Sequence, residues 1–163
     1  MMEVKTSKQQ RMHLQEKKAY RVIDIELESG YKERNVLYQD IGKFIRMVDE
    51  GEEHFLILHS EDGYVQFYGF ANQFAGETRC NLSDNEFCVY AFINREKALC
   101  GKRMTLSTPF GDFTPEEREV VSFDVICRIV QKYYENTNFN HFIKLIPCAD
   151  ITKRTKREMG LIK

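Results

Sequence analysis

No stretch of the 163 residues approaches the length of a membrane span, and residues 1–18 contain no apolar run of the kind that opens a signal peptide. A cytoplasmic protein is expected. The five cysteines, Cys80, Cys88, Cys100, Cys127 and Cys148, are odd in number and show no CxxC spacing, which argues against both a disulfide framework and a zinc site. Reduced and mainly buried thiols are the expectation, and without secretion the sequon Asn81-Leu82-Ser83 has no meaning. The chain also lacks a GxSxG elbow, a Walker loop, a dinucleotide fingerprint, internal repeats and low-complexity blocks. Its histidines, His13, His54, His59 and His141, are scattered; His54 and His59, five apart on one strand, point to opposite faces and cannot converge on a metal. No catalytic residue, metal or cofactor is assigned, and an enzyme is disfavoured.

What the chain does have is 42% apolar and 30% charged residues, enough for one well-cored domain and too little length for two. Net charge is −1, unevenly spread. Residues 1–18, a polar leader, carry five Lys/Arg against Glu3 and Glu16, and residues 153–163, a basic tail, carry five against Glu158. The body, 19–152, therefore keeps 14 basic and 22 acidic residues, a net of −8. Such a body suits a basic partner and opposes nucleic acid, which only the tails are placed to bind, and then weakly.

Hydrophobic periodicity supplies the elements. The run TPEEREVVSFDVICRIVQKYYE predicts a long helix over Thr114–Glu135, with Thr114 as N-cap, Pro115 at the first position and Glu117 closing a capping box. Ile41, Phe44, Ile45 and Val48 predict a shorter amphipathic helix that Gly51 terminates. Ile23, Ile25 and Leu27 alternate with Asp24, Glu26 and Glu28 as a half-buried strand; HFLILHS and YVQFYGF flank Glu61-Asp62-Gly63 as a hairpin. ANQFAGETRCNLSDNE reads as a loop with some edge pairing of Gln73 to Arg79, FCVYAFIN as a central strand, MTLST as a further one and FNHFIKLI as the last. The expected fold is a single α+β domain with a mainly antiparallel sheet packed by one long and one short helix. Val125, Ile126, Ile129, Val130 and Tyr133 should lie against a sheet that includes Val89, Ala91 and Ile93.

One charge cluster goes against local electrostatics. Asp49, Glu50, Glu52 and Glu53 crowd a helix C-terminus, where the dipole makes carboxylates unfavourable by a few tenths of a kcal/mol each. Glu116, Glu117 and Glu119 sit at a helix start and need no further reason. The first four, with Glu61 and Asp62 extending them as an acidic edge, are the candidate partner-binding residues.

The opening strand, the helix DIGKFIRMVDEG, the hairpin LILHSEDGYVQFYG, the later strands, the TPEE entry, YYENTNF and the closing strand together resemble the Imm1 group of bacterial immunity proteins across residues 20–146. The resemblance implies stoichiometric binding, in which an acidic surface covers the basic active-site cleft of a nuclease or nucleic-acid deaminase toxin. The rival classes are a nucleic-acid-associated or regulatory module acting through its basic tails, and a small enzyme with an unmarked site.

Overall fold

The computed structural model describes residues 20–83, 86–97, 101–137, 139 and 143–148. The leader and the basic tail lie outside these, as do His13, His141 and Cys100. Strand β1 (Asp24–Leu27) turns into the two-residue β2 (Lys32–Glu33), and helix α1 (Tyr38–Asp49) follows. Next come β3 (Phe55–Ser60), β4 (Gly63–Phe70), β5 (Gln73–Ser83) and β6 (Glu86–Asn94), then the small hairpin β7 (Leu106–Thr108) and β8 (Gly111–Phe113), helix α2 (Phe123–Tyr134) and β9 (Ile143–Pro147). Seven strands form one sheet in the order β2-β1-β3-β4-β5-β6-β9, and every pairing in it is antiparallel. This is the α+β class expected from clustered strands with two flanking helices.

The long helix is where sequence and structure part most. Residues 114–121 are not α-helical: Glu117–Glu119 form a single 3-10 turn with Glu116 as its cap, and α2 starts only after Ser122, whose hydroxyl accepts from the Val125 N–H. The capping box exists, but between Glu116 and Glu119 rather than at Thr114. The reason is tertiary. Val121 exchanges two backbone hydrogen bonds with Phe74, at 2.9 and 2.8 Å, and this bridge holds Val120–Val121 extended, a state their β-branched side chains favour. Both helices are consequently 12 residues long, about 18 Å each, not one long and one short.

The segment read as a loop is instead β5, the longest strand at 11 residues, lying between β4 and β6. The first two residues of that segment, Ala71 and Asn72, both at positive φ, make the tight β4–β5 turn, while Gly76, Asn81 and Ser83 lie within the strand. Beyond them Phe74, Ala75 and Thr78 are buried, and pairing along both edges overrides weak strand propensity.

The sheet has two faces with different covers. On one, Ile25, Leu27, Leu56, Leu58, Val65, Phe67, Phe74 and Phe92 pack with Ile41, Phe44, Ile45 and Val48 of α1 and Ile126, Ile129, Val130 and Tyr133 of α2 in a single core. Val125 is only half-buried. Val89, Ala91 and Ile93 are buried but alternate with Phe92, so they face away from α2, contrary to the expectation that α2 packs on them. That second face is covered by the 101–121 segment, through Leu106, Val120 and a ring contact of Phe113 with Tyr68 at 4.5 Å. Among the described residues no helix is long and apolar enough to cross a membrane.

Candidate functional site

The six candidate carboxylates fall into two groups at opposite ends of β3. Glu53 precedes this six-residue strand and Glu61 follows it, which at about 3.3 Å per residue puts them roughly 25 Å apart. They do not form one continuous edge. At the first end, Asp49 Oδ1 accepts from the Asn72 N–H at 2.7 Å, and the Asp49 carbonyl accepts from the Ala71 N–H at 3.0 Å, so this residue fastens the β4–β5 turn to α1. Glu53 is only 8% exposed, and its Oε2 accepts from the Ser29 N–H at 3.2 Å, securing the β1–β2 turn. Both carboxylates therefore have the structural role that local electrostatics did not supply; Glu53 is buried and Asp49 half-buried. Only Glu50 and Glu52 are exposed there. Glu53→Lys should accordingly destabilise the fold by about 1–3 kcal/mol, since it strands the Ser29 N–H and buries a cation; urea unfolding beside an unaffected Glu52→Lys is the check.

At the other end, Glu61 and Asp62 form the two-residue β3–β4 turn and are both exposed. They rim an open groove of about 630 Å³ whose floor and walls come from the run into β1 (Tyr20, Arg21, Val22, Asp24), the end of β3 (His59, Ser60) and Asn136 just beyond α2. The groove exists because three elements end together. Asn136, at φ 56°, stops α2 with its N–H on the Tyr133 carbonyl, and the Arg21 N–H is held by the Tyr134 carbonyl at 2.8 Å. Ser60 Oγ and the Tyr133 hydroxyl, 2.6 Å apart, tie β3 to the same helix.

Three carboxylates, Asp24, Glu61 and Asp62, and one guanidinium line this groove; Asp24 Oδ1 accepts from the Asn35 N–H at 2.8 Å, and the guanidinium is already engaged. Arg21 donates to the Tyr133 carbonyl at 2.9 Å, lies 4.4 Å over the Tyr133 ring and reaches Asp62 at 3.3 Å, where its charge meets the negative end of α2. The site is acidic on balance. Two large apolar side chains stand on its rim, Tyr20 at 57% and Val22 at 66% exposure.

His59 and Ser60 are neighbours on β3 and point to opposite faces; His59 Nε2 meets Glu26 Oε2 at 3.1 Å, and this hydrogen bond holds the Glu26 carboxyl below its usual range. Burial pushes the Cys80, Cys127 and Cys148 thiols up, away from the thiolate form a nucleophile needs. No group of three His, Cys, Asp or Glu able to hold a metal occurs among the described residues.

The phenols of Tyr64, Tyr68 and Tyr133 are likewise raised by burial above the ordinary value of 10.0. A group whose folded value is raised contributes stability that is intact below the unfolded value and is lost as pH rises through the folded one. Stability should thus hold up to pH 10 and fall beyond it, with late phenolate absorbance in the folded chain that moves to the ordinary range in denaturant.

Glu61 and Asp62 are recognisable from the sequence as a hairpin tip. Tyr20, Val22 and Asp24 are not among the residues that charge and motif single out, although a signal exists: with Ile23, Ile25 and Leu27 turned inward, apolar residues at 20 and 22 fall on the wet phase of the strand. Compared with family models, curated proteins and solved structures, the chain matches none.

Proposed function

We propose that the chain is a binding protein, not an enzyme, and that it neutralises a cognate bacterial toxin, a nuclease or nucleic-acid deaminase, by occupying the toxin's basic cleft one-to-one. The observation that carries this reading is the groove rim, where exposed Tyr20 and Val22 stand beside the carboxylates of Asp24, Glu61 and Asp62. An aromatic anchor supplies contact area and slow release, while surrounding charge steers the encounter and fixes orientation. The net of −8 over residues 19–152 adds a field that attracts the same basic surface a toxin uses to hold phosphate. The sequence resemblance to the Imm1 group supports this role through the opening strand, the short helix and the hairpin, the TPEE run being no helix entry here. We place the interface at the Glu61–Asp62 end, because both of these carboxylates are exposed while Glu53 at the other end is buried and Asp49 is half-buried against the β4–β5 turn.

The test is titration of the purified chain against the product of a toxin-like reading frame beside its gene. Nuclease or deaminase activity should fall linearly and vanish at one equivalent. Undiminished activity at several-fold excess would refute neutralisation.

A further inference from the structure

Three tyrosines form a continuous row on the surface, running from the groove to the junction of the two helices. Tyr20 meets Tyr134 at 5.6 Å between ring centroids, with planes at 51°, and Tyr134 meets Tyr38 at 5.6 Å and 48°. The outer two rings are 57% and 45% exposed. The Val36 N–H donates to the Ile23 carbonyl at 2.8 Å, which sets residues 36–37 alongside 22–23 and brings Leu37, 53% exposed, to the same patch as Val22. Single exposed apolar residues need no explanation, but four large ones, Tyr20, Val22, Leu37 and Tyr38, grouped around half-buried Tyr134 mark a contact surface.

The charges around the row select the occupant. Exposed Glu61 and Asp62 stand at the Tyr20 end, with Asp24, whose Oδ1 accepts from the Asn35 N–H at 2.8 Å, beside them; Glu135, next to Tyr134 in the chain, accepts from Gln131 Nε2 at 3.1 Å and lies 3.8 Å from Lys132 Nζ. A row of ring faces between carboxylates complements a planar cation: a guanidinium stacks on an aromatic face and pairs with a carboxylate through its edge, whereas a lysine ammonium is a compact, strongly hydrated charge. The fold itself uses the same stacking in Arg21 over Tyr133, at 4.4 Å, and Arg79 over Phe87, at 4.0 Å.

We infer that the Tyr20–Tyr134–Tyr38 row is an arginine-reading surface, and that the basic segment it receives from the partner protein is arginine-rich, its guanidinium groups stacked on the tyrosines and paired with the flanking carboxylates. This rests on the binding role proposed above and narrows the partner's chemistry.

The experiment uses the full chain with labelled oligoarginine and oligolysine peptides of equal length, read by fluorescence anisotropy at low and physiological salt. Oligoarginine should bind about tenfold more tightly, the effect of one or two stacked guanidiniums. Tyr20→Leu/Tyr38→Leu, which keeps apolar bulk and removes the two exposed rings of the row, should remove most of the preference without moving the melting temperature; Tyr38→Leu alone serves if the double variant does not fold. Glu61→Lys/Asp62→Lys should weaken both peptides together. Equal affinities for the wild type, a preference that survives removal of the rings, or no binding of either peptide would each overturn arginine reading. Toxin neutralisation that persists in the tyrosine variants would separate that failure from a failure of the binding role.

Discussion

Replacing Phe74 by alanine should lower the stability of the folded chain by about 3–5 kcal/mol, a large share of what a domain of this size possesses. The residue is fully buried, with its ring edge-on to Phe67 at 6.1 Å and tilted against Phe123 at 6.2 Å. It joins the middle of the sheet to the start of α2, and its backbone bridge to Val121 ends the extended segment that crosses from one face of the sheet to the other. Truncation leaves a cavity at that crossing, where β4 on one side and the Val121 bridge on the other limit collapse. Gln73→Ala, one residue away and exposed, should stay within about 0.5 kcal/mol. Urea denaturation of the two variants gives the comparison. A Phe74→Ala effect below about 1 kcal/mol would mean that this segment is the loop its composition suggests.

Gly63→Ala should cost about 2–6 kcal/mol, combining a backbone region that L-residues avoid with a clash that cannot relax. Gly63 has φ +141°, and a Cβ placed on it would lie 1.9 Å from the Arg79 carbonyl oxygen and 2.8 Å from its carbon. Both atoms are backbone of β5, which is pinned between β4 and β6. Gly111 separates the two contributions. It has φ +125°, but a Cβ added there would meet no atom within 4 Å, so Gly111→Ala should show only the conformational part, about 1–3 kcal/mol. Because Gly63 follows the Glu61–Asp62 tip, Gly63→Ala should also displace the groove rim and weaken partner binding. Equal melting temperatures for wild type and Gly63→Ala would contradict the tight β4–β5 approach.

Elements that carry their own period were legible in the sequence. Ile41, Phe44, Ile45 and Val48 place α1, and Ile23, Ile25 and Leu27 place β1, because one buried face imposes a repeat that no other conformation shares. Elements fixed by partners were not. Residues 114–121 carry a cap, a proline and carboxylates that suit a helix, yet the distant Phe74 holds Val121 extended, and Ser122, with its own capping hydroxyl, starts α2 instead. The acidic site divided in the same way. Charge against a helix dipole picked out Asp49 and Glu53, but the N–H groups that satisfy them belong to Asn72 and Ser29, far away in sequence. Glu61 and Asp62 survive as surface groups because a two-residue turn is a local feature, while the tyrosines beside them assemble only when β1, α1 and α2 meet.

The proposed partner surface is tested by association rates with the proposed cognate toxin, measured by stopped flow at low and physiological salt. Glu61→Lys/Asp62→Lys and Glu50→Lys/Glu52→Lys change net charge equally, so any difference between them reports position and not overall field. The expected result is that the first pair slows association by about tenfold at low salt and flattens its salt dependence, while the second stays within about twofold of the wild type. Slowing by Glu50→Lys/Glu52→Lys alone would move the interface to the end of α1, and equal rates for all three proteins would remove the acidic groove from recognition altogether.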